Sequence, residues 1–200
     1  MTDQAHFEEQ PVSTSKRSFL IRTAPAVLSA SAVALIAGCE SMAGSHSSKG
    51  MGDDVAILNT ALGLEHEAIG AYQVAAGSGL LSQRALDAAT VFLGHHMQHR
   101  DTLAGVVRKM GGAPVEANSN AEYAAKLDLG ALKSEVEVLE LARELERQAA
   151  NAYIGAVPKF GSGDLAQAAA RISADEVMHY TVLNGVLGGT LPTEAMTFGA

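Results

Sequence analysis

The 200-residue chain has no tryptophan, a single cysteine, five prolines, four tyrosines and five phenylalanines. So few aromatic residues argue against the strands of a sandwich or barrel, which are built from aromatic and β-branched side chains. One cysteine excludes an internal disulfide and any multi-thiolate zinc or iron–sulfur site. Cations are scarce too: 14 Lys and Arg against 22 Asp and Glu leave a net charge of −8. That balance argues against a nucleic-acid partner, because little is present to neutralise a row of phosphates. What the chain has in excess is alanine, nearly a fifth of its residues, the strongest intrinsic helix former. The length suits one domain with a real core, and the expected class is all-α.

Residues 1–38 read as a signal peptide. Lys16 and Arg17 precede Thr23–Gly38, an apolar stretch without a charged residue. A stable membrane-spanning helix needs about 20 such residues, more than this stretch provides, so a cleaved or processed leader fits better than a permanent span. Ser15-Lys16-Arg17-Ser18-Phe19-Leu20 resembles the twin-arginine export motif, with Lys in place of the first Arg. Ile36-Ala37-Gly38-Cys39 resembles a bacterial lipobox, which implies that Cys39 carries a lipid and becomes the mature N-terminus. The expectation is a protein of the bacterial cell envelope, facing the periplasm or exterior and touching the membrane only through that lipid anchor. Residues 39–52, rich in Ser and Gly, read as a flexible tether.

Four segments then show 3.6-residue periodicity. The first spans about Asp53–Ala76, ended by Gly77, and the second runs from near Ser82 to just before Gly111-Gly112. Arg108 and Lys109 fall in its last turn, where a helix favours cations. The third runs from Ser134 to about Pro158 and the fourth from about Asp164 to Leu187, closed by Gly188-Gly189. The connections are short, long (Gly111–Lys133) and short. Short loops join antiparallel neighbours, whereas the long one can carry the chain back along a bundle with a single crossover. The bundle is expected over residues 53–190, followed by a tail over 191–200.

The chain also repeats itself. Leu64-Glu65 with Ala71-Tyr72 matches Leu145-Glu146 with Ala152-Tyr153, one helix pair further along. His99, Leu103, Gly105 and Val106 match His179, Leu183, Gly185 and Val186 in the same way, all four at one offset. Apolar stripes are expected at Leu58, Ala61, Ala68 and Tyr72; at Phe92, Leu103, Val106 and Met110; at Leu139, Ala142, Ala149 and Tyr153; and at Ile172, Leu183 and Val186. Glu65, His96, His99, Glu146, Glu176 and His179 interrupt these stripes at comparable depths about the two hairpin turns. Burying three unpaired carboxylates would cost most of a domain's stability. A divalent cation removes that cost by neutralising and orienting them.

Glu, then Glu-x-x-His, on paired helices resembles the di-iron carboxylate pattern of the ferritin-like superfamily, over about residues 53–189. The resemblance implies a four-helix bundle holding a transition metal, iron first, as one or two ions, with manganese or zinc as alternatives. It places Glu65 and His99 on one ion, Glu146 and His179 on the other, and Glu176 between them. The sixth position departs: His96 stands where the pattern has a bridging Glu. Three carboxylates then face the four charges of two divalent ions, which favours a hydroxide bridge or a single ion. The stretch His96–Asp101 with Gly111-Gly112-Ala113-Pro114 also resembles an exported branch of the superfamily whose function is uncharacterised.

The resemblance implies Fe(II) oxidation or reduction of O₂ or peroxide. The alternative is a non-catalytic stress or binding bundle with a degenerate site, and a mononuclear site of Glu146, Glu176 and His179 is a third reading. His95 and His66 point off the stripes and read as exposed, although His95 and His99 have the i, i+4 spacing of a metal clamp. Tyr72 and Tyr153 read as core packing with satisfied hydroxyls. Beyond metal ions and the lipid anchor, a homodimer is left open.

Overall fold

A computed structural model describes residues 48–199 of the protein. Residues 1–47, which hold the signal-peptide reading, Cys39 and most of the expected tether, lie outside them. Among the described residues there are helices and no strands: α1 spans Ser48–Gly77, α2 Gln83–Lys109, α3 Asn120–Lys126, α4 Glu135–Ala156 and α5 Gly163–Val186. Short 3₁₀ turns occupy Leu129–Ala131 and Val157–Lys159. None of the described helices is long and apolar enough to cross a membrane.

The four long helices are the four expected. Ser82 and Ser134 cap α2 and α4, their side chains accepting from the backbone N–H of Ala85 and Glu137. Gly111 and Gly188 adopt φ of +80° and +76°, which lets the chain turn left-handed out of α2 and α5. The next N–H in each case then closes the helix, Gly112 onto Val107 O at 2.9 Å and Gly189 onto Asn184 O at 2.8 Å. One boundary differs: α1 begins at Ser48, so residues 48–52, read as tether, are helical.

The long connection contains α3, which the periodicity did not predict. Ser119 and Glu122 form a capping box at its start. The connection is tied along α1 in order. The Asn59 amide donates to Ala113 O and accepts from Val115 N–H, both at 2.9 Å, and Lys126 pairs with Glu67. Tyr123 lies against Gly70, where an added Cβ would meet the Tyr123 ring at 2.3 Å. The chain therefore travels back to the end of the bundle where α2 began, and there Glu135 accepts from Ser82 N–H at 2.6 Å. At the other end Asp54 accepts from Gly161 N–H at 2.9 Å. These ties give the order up, down, down, up: α1 and α5 run one way, α2 and α4 the other.

Apolar side chains fill both ends of the bundle. Leu58, Leu62, Val107, Leu165 and Ile172 form one cluster, and Tyr72, Phe92, Leu139 and Leu183 form the other. Full burial of such a side chain contributes about 1.5–3 kcal/mol. A buried polar layer separates the two clusters. Two stripe positions differ from expectation by one residue: Ile69 and Ala150 are buried, whereas Ala68 and Ala149 are only half-buried. Val186 is 55% exposed, on the same outward row of α5 as Val182 one turn earlier. The tail folds back, with Phe198 edge-on to Tyr180 at 5.2 Å and Gly199 N–H donating to Asn151 at 2.7 Å.

Candidate metal centre

Glu65 on α1, His96 and His99 on α2, Glu146 on α4, and Glu176 and His179 on α5 meet in that polar layer. Five of them are 1% exposed or less, and His99 is 8% exposed. Their ligand atoms form two overlapping sets: Glu65, His96, His99 and Glu176; and His96, Glu146, Glu176 and His179. Within each set the atoms lie within 4.8 Å of one another. Glu176 belongs to both: its Oε1 is 3.2 Å from His99 Nδ1 and its Oε2 is 3.1 Å from His179 Nδ1. His96 belongs to both as well, with Nδ1 2.9 Å from Glu65 Oε2 and Nε2 3.2 Å from Glu146 Oε1.

The repeat is visible in how the carboxylates are held. Tyr153 on α4 donates a short hydrogen bond to Glu65 Oε1, and Tyr72 on α1 donates one to Glu146 Oε1. Both oxygens of each carboxylate also meet histidines of the centre: Glu65 Oε2 faces His96 and Oε1 lies 3.6 Å from His99, while Glu146 Oε1 faces His96 and Oε2 lies 3.3 Å from His179. The tyrosine hydroxyls are satisfied, as expected, and their partners are the site's own carboxylates. Beyond Tyr72 and Phe92, an apolar cavity of about 170 Å³ opens among the helices.

Burial pulls the His96 imidazole down, but its bonds to Glu146 and Glu65 override this and raise its pKa to about 10. His99 is raised to about 12 in the same way, burial being overcome by Asp175, Glu176 and Glu65. His179 is also raised, by Glu146 and Glu176 against burial. Burial alone would raise Glu65, yet His96 and His99 hold it at about 2. Glu146 is pushed below the usual carboxylate range by His179 and His96, again against burial. Protonated His96 and His99 thus offset the charge of Glu65 and Glu146 when no metal is present, and a metal must displace those protons.

The residues fit a cation. His99 Nδ1 and Glu176 Oε1 are buried without a hydrogen-bond partner. Their 3.2 Å approach is close enough for attraction between charges but is not angled as a hydrogen bond. Leaving such atoms unpaired costs about 1–3 kcal/mol each, and a cation bound by both removes that cost. The mixed imidazole and carboxylate donors suit a transition metal better than magnesium or calcium.

Two residues behind the centre escaped the sequence reading. His95, expected to be exposed, is half-buried, and its Nδ1 lies 2.9 Å from His179 Nε2. The reason is that α2 and α5 are neighbours here, so a residue just off the core stripe still reaches the opposite ligand. Asp175 Oδ2 lies 3.2 Å from His99 Nε2. With those partners taken, His95 and His99 do not form the i, i+4 clamp. The repeat held the signal, since His95 and Asp175 stand at the same offset as His99 and His179. His66 instead meets Val115 O at 3.1 Å and helps to hold the crossover on α1.

Residues 53–189 match the ferritin-like domain family. The chain belongs to that family. Its bundle is similar to a conserved hypothetical protein, rv2844, from Mycobacterium tuberculosis, with 23% identity and a TM-score of 0.62 over 74% of this chain and 99% of that one. It is also similar to a ferritin-like, diiron-carboxylate protein from Bacillus anthracis, with 20% identity and a TM-score of 0.56 over 70% and 99%. At these identities the likeness shows the fold. A comparison with curated proteins gives no match. The ferritin-like bundle and its buried Glu/His cluster are thus established as architecture.

Proposed function

We propose that this ferritin-like protein binds a transition metal, iron foremost, at the buried cluster and uses it to oxidise Fe(II) or to reduce O₂ or peroxide. The observation that carries the reading is the unpartnered pair His99 Nδ1 and Glu176 Oε1 inside a layer that already holds three carboxylates. In this reading Glu65 and His99 would hold one ion and Glu146 and His179 the other, with Glu176 between them and His96 as an additional ligand. The bound metal supplies one-electron exchange with an oxygen-derived oxidant. The chain supplies orientation: Tyr153 and Tyr72 each donate to one oxygen of Glu65 and of Glu146 and so fix how the two carboxylates are turned. Its apolar end clusters keep bulk water from the layer. The diiron-carboxylate title of the Bacillus anthracis structure supports iron as the first metal to test.

The leader-like segment completes the proposal. Residues 1–38 direct export, Cys39 carries a lipid, and the bundle works on the outer side of a bacterial membrane. Labelling with a radioactive fatty acid checks this, since Cys39→Ser should remove the label.

Metal analysis tests the core of the reading. Protein recovered after anaerobic Fe(II) loading should carry between one and two iron atoms per chain. Less than about a tenth of an equivalent would overturn it, because a site of six preformed ligands does not stay empty in excess metal. A second reading, a hydrogen-bonded polar core without metal, is favoured by the closure of His96 onto Glu65 and Glu146 at 2.9 and 3.2 Å. Chelation separates the two: the melting point of a metal-free polar core would not respond.

A further inference from the structure

We propose that the two ion positions are unequal: the one on Glu65, His99 and Glu176 fills first and more tightly, because Asp175 backs His99 whereas His95 backs His179. The inference rests on the metal-binding reading above and concerns residues behind the ligands.

Comparing the two halves removes most candidate causes. Glu65 and Glu146 correspond in the repeat and carry the same charge, and each has one oxygen held by a tyrosine of the opposite helix, Tyr153 and Tyr72. His99 and His179 are equivalent and both turn Nδ1 inward, to within 3.2 and 3.1 Å of Glu176. Phe92 and Ile172, which also correspond in the repeat, are both buried and apolar, and Phe92 in addition stacks on the His179 ring at 4.2 Å without adding charge. Glu176 and His96 are common to the two sets. The difference in charge lies outside them. His99 Nε2 meets a carboxylate, Asp175 Oδ2 at 3.2 Å, while His179 Nε2 meets an imidazole, His95 Nδ1 at 2.9 Å.

An imidazole that binds metal through Nδ1 carries its proton on Nε2 and donates it. Given to Asp175, that hydrogen bond ends on a full negative charge, which increases the basicity of His99 and adds attraction for the ion. Asp175 has a side chain 41% exposed, so keeping it ionised costs little desolvation. Given to His95, the same bond ends on a neutral lone pair. Partners of this kind change metal affinity by about 10–100-fold. His95 is therefore a positioning residue that holds the His179 ring without adding charge.

The test is an anaerobic Co(II) titration of the full chain in competition with a chromophoric chelator. The native protein should take two ions in steps at least about tenfold apart in affinity. In His95→Asp the weaker step should tighten until the gap is within about threefold, as two carboxylate-backed positions require. His95→Asn, which keeps an acceptor but no charge, should retain the native gap, so that a merely structural role for His95 is distinguished from charge. Asp175→Asn should weaken the tighter step and close the gap from the other side. Two equal steps in the native protein, or a gap that survives His95→Asp, would overturn the inequality. A single Co(II) that Asp175→Asn weakens, with a second appearing in His95→Asp, supports it; one indifferent to both variants overturns it. No Co(II) uptake by any variant that retains its helical circular dichroism would overturn the metal-binding reading itself.

Discussion

The segments His95-His96-Met97-Gln98-His99 on α2 and Asp175-Glu176-Val177-Met178-His179 on α5 occupy equivalent places in the repeat. Their last histidines are used alike. Their first two residues are not: both acids of α5 are imidazoles on α2. The backbone repeat has been kept while the charge on α2 differs from that on α5 at two positions, once within the buried cluster at His96 and once behind it at His95. A twofold fold therefore does not require a twofold site. Chemistry can diverge at single positions because helix packing responds to shape and apolar area, and less to which polar group fills a satisfied place.

Breaking the element common to both sides should have the largest effect. Glu176→Ala removes the carboxylate that faces both His99 and His179, and iron content should fall below about a tenth of an equivalent per chain. Next comes metal removal. With metal at about a hundred times its dissociation constant, binding adds about 2.7 kcal/mol, so chelation should lower the melting point by about 5–10 °C and reloading should restore it. His96→Glu then makes the two segments more alike by returning an acid to α2, and because residue 96 belongs to both ligand sets, both Co(II) steps should tighten.

Smaller effects sharpen the same comparison. Tyr72→Phe and Tyr153→Phe each remove a donor to a buried carboxylate, and each should cost about 1.5–3 kcal/mol in urea unfolding of the metal-free protein. Nearly equal costs are expected, because this part of the repeat is symmetric. Gly70→Ala should cost about 1–3 kcal/mol through the Tyr123 collision and leave iron content unchanged.

Acidity gives a further check on the metal-free form. The folded pKa of His96, about 10, lies above its ordinary 6.5. Its contribution to stability is thus complete below 6.5 and is lost as the pH rises through about 10. Glu65, at about 2 against 4.5, contributes fully above 4.5 and loses that contribution as the pH falls through about 2. Metal uptake needs those imidazoles deprotonated, so it should release protons into weakly buffered solution and weaken as the pH falls.

Much of this was legible in the sequence. The helices, their caps and the crossover follow from 3.6-residue periodicity, Ser82 and Ser134, and the Gly-Gly pairs. Glu65, His96, His99, Glu146, Glu176 and His179 were found because each interrupts an apolar stripe, which is an energetic contradiction that something must resolve. His95 and Asp175 were hidden because they sit one residue off those stripes. There a side chain's partner is set by which helix lies beside it, and that is a fact of packing. α3 was hidden for a related reason: so short a helix gives too little periodicity to read, and its place depends on Tyr123 meeting Gly70. The one-residue slips at Ala68 and Ala149 are the ordinary drift of a helix phase read from alanines, which mark a face weakly.

Metal binding at the buried cluster is tested most directly by a crystal structure of the iron-loaded protein with anomalous scattering measured at the iron edge. Metal is expected in the layer between His99 and His179, with Glu176 coordinating through both oxygens and the stronger peak on the His99 side. Anomalous density confined to the protein surface, with His99 Nδ1 and Glu176 Oε1 left without an ion, would contradict it.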